Sequence, residues 1–179
     1  MHGTGTGTEA DGAGAAAGWL AAAAPDPAAC VAAWERNPLG VALLPAGSRW
    51  DVLIVPGWLG FPALEVLTRL GRTGPVLADF GDDRTGFFVP PGTAERWVGT
   101  GVRAAGRGTW IVVPYPGVAT GGVRWVVRPE ADGTLNDPVL LELALHEAAA
   151  SAGPRGPGGS GDPPGPPGPA DSRARPGDR

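Results

Sequence analysis

Large apolar residues are confined to the middle of this 179-residue chain, and this limits most strongly what it can fold into. Residues 153–179 are rich in Gly and Pro and contain no Leu, Ile, Val or aromatic residue. Residues 1–17 are mostly Gly, Ala and Thr. Neither end can bury enough apolar surface to offset the entropy lost on ordering, so we predict that both are disordered. The sequence therefore predicts one domain over residues 19–149, large enough for a single hydrophobic core.

Composition excludes several classes of protein. The formal net charge is −4, which argues against a surface built wholly to bind polyanions. Cys30 is the only cysteine, so an intramolecular disulfide and a thiolate zinc site are both excluded. The Ala-rich run near the start lacks a basic segment before it and is too short to span a membrane. We therefore predict a cytoplasmic protein without membrane contact.

Local sequence signals predict alternating helices and strands. Asp26-Pro27 and Asp137-Pro138 each place a good N-cap before a proline that suits the first helical turn. A third helix is predicted to start at Pro62. Apolar runs predict three pairs of short strands, at 40–44 with 50–55, 74–80 with 85–90, and 109–116 with 122–129. We interpret the first and last of these pairs as hairpins, since short turns connect their strands.

This order of elements predicts the fold class. Mixed connections of strands and helices are typical of an α+β domain. We expect a single domain with a curved, largely antiparallel mixed sheet.

Several segments together resemble one family, the N-terminal domain of bifunctional DNA primase/polymerases, called the prim-pol domain. The opening PDPAACVAAWERNPLGVAL is similar to that family's acidic turn, Trp-bearing helix and apolar strand. RWDVLIVPGWLGFPALEVL resembles its metal-binding strand, turn and helix, and GVRAAGRGTWIVVPYPGV its glycine-rich segment. GVRWVVRP and DPVLLELAL resemble its closing strand and final helix. The resemblance covers residues 19–149 and implies a prim-pol-like fold.

The positions that carry chemistry in this family are altered here. The family needs two carboxylates two residues apart on a strand to bind divalent cations, and the resemblance places them at Ile54 and Pro56. Its histidine position falls on Thr85, and its third acidic position on Arg103. We therefore expect no nucleotide polymerisation and no cofactor. The resemblance implies a catalytically degenerate relative that acts as a nucleic-acid- or protein-binding module.

The second half of the chain carries candidate contacts for single-stranded nucleic acid. Arginines interleaved with aromatic residues suit phosphate contact with base stacking. The candidates are Arg103, Arg107, Trp110 and Arg124. The opposing interpretation is that the tryptophans fill the core and the arginines only aid solubility. Arg124 precedes Trp125 on a strand, so these two side chains should point to opposite faces.

Two alternatives come from other classes of function. An active nucleotidyltransferase could use a rebuilt Mg²⁺ or Mn²⁺ site at Asp51, Asp79 and Asp82, although GDDR is also ordinary turn chemistry. A protein-interaction domain could use Trp58, predicted to lie in the turn PGWLG, together with the Pro-rich tail. The segment PPGPPGP suits the polyproline II conformation that recognition modules bind.

Overall fold

The computed structural model describes residues 6–71, 73–79, 81–99, 101–117 and 122–153. Helices and strands follow one another along these residues in an order that mixes both types. They are α1 (Thr6–Ala21), α2 (Pro27–Arg36), β1 (Val41–Pro45), β2 (Asp51–Pro56), α3 (Gly57–Arg69), β3 (Val76–Asp79), β4 (Arg84–Val89), α4 (Thr93–Arg96), β5 (Arg103–Ala105), β6 (Trp110–Pro114), β7 (Val123–Val127) and α5 (Pro138–Ser151).

The strands form two antiparallel sheets, which confirms the predicted α+β class. One sheet has five strands in the order β5-β2-β4-β3-β7, and the other pairs β1 with β6. Both predicted hairpins are wrong, because β2 pairs with β4 and β5 rather than β1, and β7 pairs with β3 rather than β6. The turn after β1 explains the first error. Ala46 N–H donates to Thr109 O and Gly47 N–H to Trp50 O, which directs β2 into the other sheet.

The five-stranded sheet has two unlike faces. Helices α3 and α5 pack on one, hereafter the helix-covered face, in a core that includes Leu53, Phe87 and Leu141. The opposite face, hereafter the cleft face, packs against α1, α2 and the β1–β6 sheet around Val52 and Phe88. Alternation along each strand decides which side chains reach which face. A residue's parity on its strand therefore determines whether its side chain meets α3 and α5 or the core formed with α1, α2 and the second sheet.

The start of the chain differs from the predicted disorder. Residues 6–21 form α1, and the buried side chains of Ala17, Leu20 and Ala21 join the core on the cleft face. Alanine has the highest helix propensity, and small side chains allow a helix to pack closely, so few large residues were needed. Residues 1–5 and the predicted disordered tail beyond Gly153 lie outside the described residues.

Helix ends follow local sequence in two cases and not in a third. Asp26 and Asp137 cap α2 and α5 with side-chain oxygens, as predicted. Helix α3 instead begins at Gly57, so Pro62 lies inside it and Trp58 in its first turn rather than in a loop. Gly57 N–H donates to Asp83 O at 2.7 Å, and a Cβ on Gly57 would collide with the Asp82 carbonyl oxygen. This close approach of the β3–β4 turn explains both the glycine and the early start.

Helix length bears on the membrane prediction. Within the part of the chain that the structure describes, no helix has both the length and the apolar character needed to cross a bilayer.

Candidate functional site

A cleft of about 200 Å³ lies between the cleft face and the edge of β6. Its charged lining comes from Asp79, Arg84 and Arg103, and Trp110 borders it on β6. A more open groove of about 310 Å³ adjoins it and is lined by Pro56, among others. Arg84 and Arg103 line both spaces, so the two form one continuous depression with guanidinium groups at the junction.

Strand pairing explains why these side chains meet. Ile54 of β2 lies opposite Arg103 of β5 on one side and Gly86 of β4 on the other. Two residues further along β2, in the next row on the same face, Pro56 lies opposite Arg84, which in turn lies opposite Asp79 of β3. Residues directly opposite in a sheet share a face. Two successive rows across the sheet therefore place two arginines and one aspartate at the same end of the cleft face.

The four positions implied by the family resemblance do not all share this face. Ile54, Pro56 and Arg103 lie together at the cleft and groove. Thr85 borders the cleft with its backbone only, because its side chain is fully buried and its hydroxyl lies against Gly60 of α3. Thr85 pairs with Val55, whose side chain also packs on the helix-covered face. A side chain at position 85 therefore points to the helices.

The three acidic residues of the metal-site alternative are separated. Asp51 is only 1% exposed on the helix-covered face, where its Oδ2 accepts a hydrogen bond from Ala94 N–H at 2.8 Å. Asp79 lies on the cleft face at the other end of the sheet. Asp82 lies in the β3–β4 turn and pairs with Arg124. Across the described ranges, no three His, Cys, Asp or Glu side chains are grouped closely enough to hold a metal ion.

Asp79 is the titratable group whose environment is most unusual in the cleft. Burial raises the pKa of its carboxyl above the ordinary value, and the positive charge of Arg84 lowers it in partial opposition. One carboxylate oxygen, Oδ1, is buried without a hydrogen-bond partner in the described structure. Desolvation disfavours the charged form of a carboxyl. The cleft therefore contains a carboxyl that gains a proton more readily than one in water.

The nucleic-acid candidates are divided between the two faces. Arg103 and Trp110 lie at the cleft, and Arg107 lies in the exposed turn between β5 and β6. Arg124 pairs with Ala78 on the helix-covered side and donates to both carboxylate oxygens of Asp82 at 2.8–3.1 Å. It is therefore turned away from the cleft.

The tryptophans beside these arginines also differ from each other. Trp125 packs on Phe88 with a ring-centroid distance of 5.4 Å on the cleft face. The predicted opposition of Arg124 and Trp125 is thus confirmed. Trp110 is 49% exposed and does not fill the core.

Sequence reasoning did not identify Arg84 as a residue of the candidate site. The signal was present, because a short polar turn between two strands sets Arg84 opposite Asp79.

Comparisons of this chain with protein-family models, curated proteins and solved structures found no match.

Proposed function

We propose that this domain is a non-catalytic relative of the prim-pol domain that binds single-stranded nucleic acid at the cleft without a metal ion. The observation that carries the proposal is the junction of cleft and groove, where Arg103 and Arg84 lie beside Ile54 and Pro56. The resemblance places metal-binding carboxylates at three of these positions, and none of the three side chains present is acidic. An arginine there offers a fixed positive charge to a phosphate directly.

The second support is the neighbourhood of Arg103. It is exposed on the edge strand β5, and it makes no salt bridge with any described residue. Trp110 borders the same cleft with half of its surface exposed. A guanidinium that contacts phosphate next to an indole that stacks on a base is the usual combination in single-strand binding.

The test is fluorescence anisotropy of a labelled oligothymidine of about a dozen nucleotides, a length that suits such grooves, with EDTA present. We expect Arg103→Ala to weaken binding about tenfold or more and to reduce its salt dependence by about one phosphate contact. Trp110→Ala should also weaken binding, since each stacked base contributes about 1–3 kcal/mol. Arg107→Ala should have a smaller effect because Arg107 lies outside the cleft.

Arg128→Ala is the matched control. Arg128 is exposed just beyond β7, at the end of that strand remote from the cleft, and its loss should leave binding unchanged. Equal affinities for the Arg103→Ala variant and the unmodified protein would reject the proposal. Binding that requires Mn²⁺ would instead support a rebuilt metal site.

A second candidate, a protein-interaction domain, is favoured by Trp58. This residue is 46% exposed in the first turn of α3, next to the groove residue Pro56. Exposed tryptophans are frequent anchors of protein interfaces. Titration with purified SH3 and WW domains, which bind polyproline II, tests whether the Pro-rich tail and Trp58 act in this way. Deletion of residues 153–179 should then abolish binding without changing the melting temperature, and retained binding would count against this candidate.

A further inference from the structure

The outward surface of the β1–β6 sheet carries an exposed apolar patch. Leu43 lies opposite Val112 and Pro45 opposite Trp110, so the side chains at these positions share one face. The alternate residues of both strands point inward to the core. Leu43 is 58% exposed, and its neighbours in the patch are also exposed. The outer apolar patch, as we name it, consists of Val41, Leu43, Trp110 and Val112.

The edge of β6 beside this patch has backbone groups that face away from β1. In an antiparallel pair, hydrogen-bonded and non-hydrogen-bonded positions alternate. Thr109 O accepts from Ala46 N–H, so the odd-numbered residues of β6 bond to β1. Pro114, an even-numbered residue of β6, agrees with this alternation. Its carbonyl oxygen points away from β1 and accepts a hydrogen bond from the Trp125 indole N–H at 3.1 Å. The N–H and C=O groups of Trp110 and Val112 therefore point toward the cleft, where no described strand pairs with them.

The segments that carry β1, β5 and β6 contribute charge of one sign to this edge, and the adjoining cleft holds one acidic side chain, Asp79, next to Arg84. Residues 37–50 and 101–117, which contain β1, β5 and β6, carry Arg49, Arg103 and Arg107 and no acidic residue. All three arginines are exposed. Two copies of this chain that met symmetrically through the patch would bring arginine toward arginine, which is unfavourable. An acidic partner would meet complementary charge.

We propose that the edge of β6 binds an extended segment of a partner protein in which acidic and apolar residues alternate. Such a segment adds a strand beside Trp110 and Val112, with main-chain hydrogen bonds to their open N–H and C=O groups. Its apolar side chains extend the outer apolar patch, and its acidic side chains point inward toward Arg103 at the cleft. An open, apolar edge strand is the kind of surface that accepts another strand. The peptide site shares Arg103 and Trp110 with the proposed nucleic-acid site, whereas Val41 and Leu43 of the outer apolar patch lie outside that site.

Amide exchange of the full chain measured by NMR provides the direct test. The probe is a blocked octapeptide of alternating Glu and Val, and the comparison peptide alternates Lys and Val. The amides of Trp110 and Val112 should exchange rapidly in the free protein and become protected at least tenfold with the Glu-Val peptide. The Lys-Val peptide should give no protection. Absence of protection by the acidic peptide, or equal protection by both peptides, would overturn the proposal.

A pair of leucine variants provides the second measurement. Leu43→Asp places a negative charge in the patch and should weaken peptide binding at least tenfold. Leu143→Asp on α5 is the control, since Leu143 is similarly exposed at 55% but lies on another surface, and it should bind as the unmodified protein does. Equal binding by the two variants would contradict the assignment.

Other occupants of the patch are distinguishable. Concentration-dependent dimerisation without peptide, abolished by Leu43→Asp, would show that a second copy covers the patch and would overturn the proposal. Protection of the same two amides by oligothymidine would overturn it in favour of nucleic acid. Because Leu43 is outside the cleft, the uncharged Leu43→Ser variant should weaken peptide binding and leave oligothymidine affinity unchanged, so this proposal and the proposed function can fail separately.

Discussion

The helix-covered face and the cleft face of the five-stranded sheet treat their polar side chains differently. On the helix-covered face, Asp51 is buried and accepts a hydrogen bond from Ala94 N–H, while Arg124 is paired with Asp82. On the cleft face, Asp79 keeps one buried oxygen without a described partner, and Arg103 makes no described salt bridge. The first face is closed by packed helices, and the buried Asp51 Oδ1 and Thr85 hydroxyl have no hydrogen-bond partner among the described residues. The second opens to the cleft and the groove, where a ligand can reach Asp79 and Arg103, so we expect mutations to affect stability on one face and binding on the other.

The largest loss of stability is expected from Asn136→Ala, at the border of the helix-covered face. The buried amide accepts from Gly74 N–H at 2.8 Å and donates to Pro75 O and Phe88 O at 3.0 and 2.9 Å. Removal of three buried hydrogen bonds should lower the free energy of unfolding by about 3 kcal/mol. Urea denaturation measures this. Thr134→Ala, which removes only the exposed local bond from the Thr134 hydroxyl to Asp132, is the control and should change stability by about 0.5 kcal/mol or less.

The next effect is expected from Gly60→Ala in α3. A Cβ at this position would collide with the Thr85 hydroxyl and press on a Val55 methyl. Overpacking of this kind should cost about 2 kcal/mol. The same substitution at Gly18, an exposed helical position with nothing within 4 Å, should instead stabilise the protein by about 0.5–1 kcal/mol. If both variants shifted the melting temperature in the same direction, the described contact of α3 with β4 would be wrong.

A smaller loss is expected from Asp51→Ala. The variant leaves Ala94 N–H without its acceptor at 2.8 Å in a partly buried position, which should cost about 1–2 kcal/mol. Glu95→Ala is the control, because Glu95 is an exposed neighbour in the same short helix. Addition of Mg²⁺ or Mn²⁺ should not raise the melting temperature of the unmodified protein in an Asp51-dependent way. If the metal ions raised the melting temperature and Asp51→Ala removed that rise, the purely structural role assigned to this carboxylate would be wrong.

The smallest effect is a pH-dependent gain from Asp79→Asn on the cleft face. Burial raises the pKa of Asp79 in the folded state, so the fold favours the neutral carboxyl. The unfolded chain releases this proton more readily, and stability therefore falls as pH rises from the ordinary carboxyl value through the raised pKa. The variant should melt slightly higher than the unmodified protein near neutral pH, with the difference vanishing in acid. A difference between the two proteins that stays the same at every pH would contradict this role of the Asp79 carboxyl.

Local features of this fold were predictable from the sequence, and long-range pairing was not. Asp26 and Asp137 were recognised as caps because a cap is a contact over two or three residues. Apolar runs located most of the strands. The pairing of β1 with β6 joins segments more than 60 residues apart, and no short-range pattern specifies such a partner.

The part of the candidate site that depends on local features was also predictable from the sequence. Strand alternation alone separated Arg124 from Trp125. It could also have shown that Thr85 and Ile54 point to opposite faces, but only once the register of β2 against β4 was known. The helix α1 was missed because an alanine-rich run has little apolar periodicity, although small residues can pack closely against a core.

The β3–β4 turn beside the groove is held at two points, by Gly57 N–H on Asp83 O and by Arg124 on Asp82. Asp83 lines the groove, so this part of its wall is in place before any ligand arrives. Capture of a ligand there needs no slow loop closure. In stopped-flow mixing, the observed rate should rise linearly with ligand concentration, without the plateau that a preceding conformational step would impose.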